Sequence, residues 1–196
     1  LISNDGANMT DDTMGKVLDN FGENELIAGQ MAVRKSVPLK VAERLVTMVS
    51  EGMREHLVTH HEITADMAMD IVISSREMAT VGLLDPTSTN RLDLLGLIDQ
   101  LQSNGRLTPT IILRALCMGD AAFFEAALAK KAGVPVMNVY KLIHDKGGLG
   151  LDRLFDRCEM PSKSRPIARA AIELLEEYTI TNGDDRNSFR QIMIER

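Results

Sequence analysis

The chain has 196 residues, 44% hydrophobic and 26% charged, with a formal charge of −6. That balance suits a packed globular core, and no run approaches the roughly 18 apolar residues of a membrane span. A nucleic-acid binder would need a stronger basic footprint and stacking aromatics, and this chain has two Tyr, five Phe and no Trp.

Residues 1–10 are polar and aperiodic and read as a frayed N-terminus. Residue 1 is Leu rather than Met, so the expectation is a processed or truncated chain, with room for the helical pattern to continue upstream. From residue 11 the apolar positions recur at the helical period, with no β alternation. The expected helices are 11–21, 23–35, 38–49, 53–60, 65–83 and 90–103, then 109–118, 120–132, 135–145, 149–158, 164–180 and 184–195. Thr64 and Thr108 read as N-caps, and Pro38, Pro109 and Pro135 suit a first helical position, where a missing N–H costs nothing. Val41, Leu45, Val49, Met53 and Leu57 form one stripe, and Ile111–Met118 is apolar nearly all round.

The two sets of helices share a register. Val37-Pro38, Leu45-Val46 and Leu57 match Val134-Pro135, Leu142-Ile143 and Leu154, each at an offset of 97 residues. The same offset places Ser50-Glu51-Gly52, read as a break, near Lys146-Gly147-Gly148. A fixed period in a helical chain implies stacked supersecondary units. The expected fold is therefore all-α: a HEAT-like α-solenoid of stacked helical pairs in two approximate units of about six helices, residues 11–106 and 107–196. Ser103-Asn104-Gly105 at the unit boundary and the stretch from Asp85 to Asn90 are the linker candidates.

Several strings add a family signal. Val37-Pro38 with Val41-Ala42-Glu43-Arg44-Leu45, Arg54-Glu55-His56-Leu57, Arg114–Asp120, Phe123–Ala129 and Leu142–Leu151 together resemble an alphaproteobacterial family of uncharacterised helical-repeat, HEAT-like proteins, a domain of unknown function. The resemblance covers about residues 37–175 and implies an α-solenoid, a bacterial cytosolic setting and a longer parent protein. It implies no reaction, and no catalytic residue carries over.

The remaining chemistry is sparse. Cys117 and Cys158 lie 41 apart without C-x-x-C pairing and read as reduced thiols, Cys117 buried. With no signal peptide visible, this favours the cytoplasm. The twelve methionines read as core filler. Asp66, Asp70 and Glu77 share one helical side and read as a wet face.

His56 and His60 stand four apart, as metal ligands can on a helix, with His61, Glu55 and Glu62 nearby; the competing reading is a solvated helix end whose imidazoles meet the dipole. His144-Asp145, with Asp184 or Asp185 as a later carboxylate, is similar to the His-Asp pair of helical metal-dependent phosphohydrolases, or closes a helix with Gly147 in the left-handed turn. Gly147, Gly148 and Gly150 precede a helix and make a possible anion site, though without the P-loop pattern.

Charge is unevenly spread. Residues 107–170 hold 10 basic and 6 acidic side chains, the only basic block, so Lys141, Lys146, Arg153, Arg157, Lys163, Arg165 and Arg169 form the expected interaction surface. The resulting expectation is a non-enzymatic scaffold or adaptor that binds a protein partner, or other modules of its parent chain, without a cofactor. The alternative is a metal-dependent phosphohydrolase, or a sensor of a metal or anionic ligand, using the histidines above.

Overall fold

The computed structural model describes residues 2, 4, 7, 9–34, 36–60, 63–84, 89–145, 147–178 and 183–195. Among these there are eleven α-helices and no strand. They are α1 (Asp11–Phe21), α2 (Glu25–Ala32), α3 (Leu39–His60), α4 (Ala65–Gly82), α5 (Arg91–Ser103), α6 (Pro109–Cys117), α7 (Ala121–Ala132), α8 (Val136–Ile143), α9 (Leu149–Arg157), α10 (Arg165–Glu177) and α11 (Gly183–Glu195). A 3-10 turn at Ser162–Ser164 leads into α10.

Capping chemistry sets most starts. Thr10, Thr64, Asn90, Thr108 and Asp120 each accept a backbone N–H of the first turn through the side chain, with Pro109 opening α6.

Internal contacts divide the chain into two compact units, Leu1–Leu83 and Leu84–Arg196. The division falls beside the Asp85–Asn90 stretch, of which residues 85–88 lie outside the described part; the 106/107 boundary of the 97-residue register lies within the second unit.

In the first unit α1, α2 and α3 pack on one another and α3 packs along α4. Met14, Leu18, Met31, Val41 and Leu45 fill the core, joined by Met9. Arg34, just after α2, ties the residues before α1 to this core: its guanidinium donates to the carbonyls of Ile2 (2.7 Å), Asn4 (3.1 Å) and Ala7 (2.8 Å).

One expectation fails here. Helix α3 runs unbroken for 22 residues through Ser50-Glu51-Gly52. A lone helical glycine costs only about 1 kcal/mol against alanine, and the stripe it interrupts continues on both sides. The corresponding stretch in the second unit does break, because Gly148 takes a left-handed conformation (φ 69°). Gly148, not Gly147, supplies that turn. The first unit thus has fewer helices than the register implies.

In the second unit α7 is the hub, packed against α5, α6, α8 and α9, while α10 packs on α6. Phe123, Phe124, Ala127 and Leu128 on α7 are buried, with Phe124 meeting Phe155 of α9 edge-on at 6.5 Å. The inner face of α6 is buried (Ile111, Ile112, Ala115, Leu116), but Leu113 and Cys117 are half-buried because α6 is covered on one side more than the other. Cys158 is the fully buried thiol, its Sγ donating to the Leu128 carbonyl at 3.5 Å. Arg186 of α11 donates from Nε to Met118 O (3.0 Å) and from Nη1 to Leu84 O (2.5 Å).

Candidate docking groove

The feature of the first unit that its core does not explain is a largely apolar groove of about 540 Å³ between α3 and α4. Its α3 wall is Ala42, Val46, Val49 and Met53, three turns of one helical face. The α4 wall is Ser75, Ala79 and Leu83, and Ala32 and Val37 close one end. The α3 stripe changes role along its length. Val41 and Leu45 are buried in the core, whereas Val49 is 62% and Met53 50% exposed.

The apolar surface continues past the groove onto α4. Met67 (58% exposed), Ile71 and Met78 (49% exposed) lie on one face at spacings of four and seven, and that face carries no charge through Ser75, Ala79 and Gly82. Asp66 and Asp70, one position earlier in the first two turns, edge it and are exposed. Arg34 is the sole charged lining residue, and its guanidinium is already given to three carbonyls.

Two expectations change as a result. The methionines are not all core filler: Met53, Met67, Met69 and Met78 of the first unit and Met137 of the second are exposed. Their placement follows from helix geometry: each sits on a face that no described neighbour covers. Glu77 does not join Asp66 and Asp70 in solvent but is 4% exposed, because that side of α4 is covered from the third turn onward, where Thr80 and Val81 are also buried.

The whole chain, residues 1–196, matches the model of a bacterial family described as an uncharacterised protein conserved in bacteria, DUF2336. The chain belongs to this family. No curated protein and no solved structure matches it. Within this DUF2336 chain, no described helix is long and apolar enough to cross a membrane.

The remaining candidates in the DUF2336 chain fall as follows. His56 is exposed on α3; the His60 side chain, His61 and Glu62 lie outside the described part. Among the described residues no three His, Cys, Asp or Glu side chains come together as a metal set.

His144 directly follows α8. Its Nδ1 meets Glu176 Oε1 of α10 at 2.8 Å, and its ring lies 4.4 Å from that of Tyr140. Asp145 is exposed beside it, and the Asp184 side chain lies outside the described part. Glu125 on α7 lies close enough to feel the His144 charge, but burial dominates and pushes its carboxyl above the usual value. Cavities of about 360, 320 and 200 Å³ run past these groups, Glu125 and Tyr140 shared by the first two and His144 and Glu176 by the last two. Neither Glu125, Tyr140 nor Glu176 stood out in the sequence, since nothing local marks residues that meet through α7, α8 and α10.

The glycines of the possible anion site have structural work. Arg169 donates to Gly148 O (3.2 Å) and pairs with Asp152 (2.9 Å), so a guanidinium already covers this corner. Gly150 is buried where α9 meets α8, and a β-carbon there would lie 2.9 Å from Leu142 Cα.

Of the basic series, Arg157 donates to Ala132 O at 2.6 Å, Arg165 pairs with Asp156, and Arg169 is engaged as above. Lys141, Arg153 and Lys163 are exposed, and Lys146 lies outside the described residues.

Proposed function

We propose that this chain is a non-enzymatic scaffold or adaptor of the bacterial cytoplasm, a HEAT-like α-solenoid whose task is to hold a protein partner. The observation that carries the reading is the largely apolar α3–α4 groove with its exposed Val49 and Met53. Solvent-exposed apolar surface concentrated in a concave strip marks an interaction site, while scattered apolar residues do not. The groove offers a row of apolar side chains on α3 facing Ser75, Ala79 and Leu83 of α4, spaced by helical turns, a form that suits an amphipathic helix with anchors at i, i+3/i+4 and i+7. Sequential packing of α6 on α7, α7 on α8 and α8 on α9 supports the stacked-helix part of the reading.

Selection from a displayed library of helical peptides tests it. Binders with an apolar i, i+4, i+7 face should emerge and lose at least about tenfold in affinity against Val49→Asp. A library that yields no binder sensitive to Val49→Asp rejects the groove as the docking site.

A further inference from the structure

We propose that the second unit carries a pocket for a small organic cation, an ammonium on a compact apolar body, with Glu125 as its counter-ion and Tyr140 as its aromatic neighbour. The pocket is independent of the α3–α4 groove, since every residue that lines it falls between Leu116 and Glu176.

Helical spacing builds it. On α7 Glu125 stands four residues after Ala121, on α10 Glu176 stands four after Ile172, and His144 follows Tyr140 by four at the end of α8. Side chains four apart share a helical face, so the three elements present these pairs to one space. The cavity enclosed there measures about 320 Å³, within the range of small-molecule sites. Leu116, Phe124, Ile143 and Ile172 are buried and give it an apolar wall.

Charge selects the guest. The cavity is lined by two carboxyls, Glu125 and Glu176, and by no Lys or Arg. Glu176 already meets His144 Nδ1 at 2.8 Å. Glu125 is half-buried, yet it has no hydrogen bond or ion pair to any described residue. Burial pushes its carboxyl up, and the His144 charge offsets only part of that cost. Arg91 lines the adjoining cavity of about 360 Å³, but His144 is the cation whose charge reaches Glu125. A carboxylate in this position is stabilised by a positive charge entering beside it.

Other guests fit less well. An anion meets two carboxyls, and a neutral molecule leaves Glu125 uncompensated. Among the described residues no three donors converge to hold a metal ion. An ammonium on an apolar body satisfies both the wall and the carboxyl, and a cation near a tyrosine ring gains further attraction.

Three compounds of nearly one shape decide the matter: 2-phenylethylammonium, 2-phenylethanol and phenylacetate. Each is titrated into the isotope-labelled full chain and followed by backbone amide NMR. The ammonium should bind at least about tenfold tighter than the other two, with shifts centred on α7, α8 and α10. Glu125→Gln should bring the ammonium down to the level of the alcohol and leave the alcohol unchanged. Tyr140→Leu should weaken the ammonium about two- to fivefold and the alcohol less. Glutamine keeps the volume of glutamate and removes a half-buried charge, and circular dichroism confirms that both variants keep their helices.

Equal affinity for ammonium and alcohol, or a preference that survives Glu125→Gln, overturns the proposal. So do shifts confined to other helices. Tighter binding of N-acetyl-lysine amide than of 2-phenylethylammonium, lost in Glu125→Gln, overturns the small-molecule guest in favour of a partner's lysine side chain. Failure of all three compounds to bind overturns the pocket and leaves the α3–α4 groove as it stands.

Discussion

Arg169 folds over Gly148: its guanidinium donates to the Gly148 carbonyl, and its Nη1 would lie 2.6 Å from a β-carbon on that residue. Gly148 is also left-handed, a conformation that costs an L-residue about 1–2 kcal/mol. Gly148→Ala should therefore lower the unfolding free energy by about 1–2 kcal/mol in urea titrations. Part of that loss is steric and belongs to the pair. In the Arg169→Ala background the same substitution should cost less, and a double-mutant cycle reads the difference. Strict additivity would show that the guanidinium is not seated over the turn.

Two further glycines should respond with opposite signs. A β-carbon at Gly150 would meet the Leu142 backbone, which cannot swing aside, so Gly150→Ala should destabilise by about 1–3 kcal/mol through overpacking. At Gly52, inside α3, nothing lies within 4 Å of an added β-carbon. Gly52→Ala should stabilise by up to about 1 kcal/mol through helix propensity. Chemical denaturation of the two variants checks both signs; a loss at position 52 would mean that α3 is not continuous there.

Glu125 supplies a pH signature. Burial raises its carboxyl above the ordinary value of 4.5, the His144 charge only partly offsetting this, so the folded state holds the proton more tightly than the unfolded chain does. The ionised carboxylate thus costs stability, and this cost grows as pH rises from 4.5 through the raised folded value. Glu125→Gln should unfold at a higher temperature than the parent at pH 7. The gap should close once the pH falls below 4.5, where the glutamate is protonated in both states. Thermal melts across that range measure it, and a gap independent of pH would remove burial of the charge as its cause.

Asp120 caps α7 by accepting from Phe123 N at 2.9 Å and is itself buried. Asp120→Ala removes the cap acceptor and should cost about 1 kcal/mol or somewhat more. Asp120→Asn keeps an acceptor oxygen and should cost distinctly less. Equal losses in denaturant melts would show that the charge, not the cap, matters there.

Local chemistry was legible in the sequence wherever it acts within one turn. Thr64 and Thr108-Pro109 cap the helices they were expected to cap, and the all-helical character follows from the apolar period. What failed depends on which element lies opposite. The stripe Val41-Leu45-Val49-Met53 was readable, but nothing in it says that cover stops between Leu45 and Val49, and the groove begins at that point. Methionine reads as core because its side chain is apolar; only the neighbours of Met67 and Met78 reveal otherwise. Ser50-Glu51-Gly52 looked like a break because its counterpart, Lys146-Gly147-Gly148, carries a second glycine able to turn left-handed, and the comparison lent that property to a sequence without it. The meeting of His144, Tyr140 and Glu176 was equally invisible, since Glu176 comes from α10, 32 residues beyond His144.

Arg186 reaches back 102 residues to the carbonyl of Leu84, the first residue of its unit. During synthesis every other helix of that unit leaves the ribosome before this clasp can close. Until it does, the Leu84 and Met118 carbonyls lack the donor that holds them in the finished fold. The unit therefore locks last at its own beginning, and a nascent chain paused before α11 would present its packed helices with that seam still open.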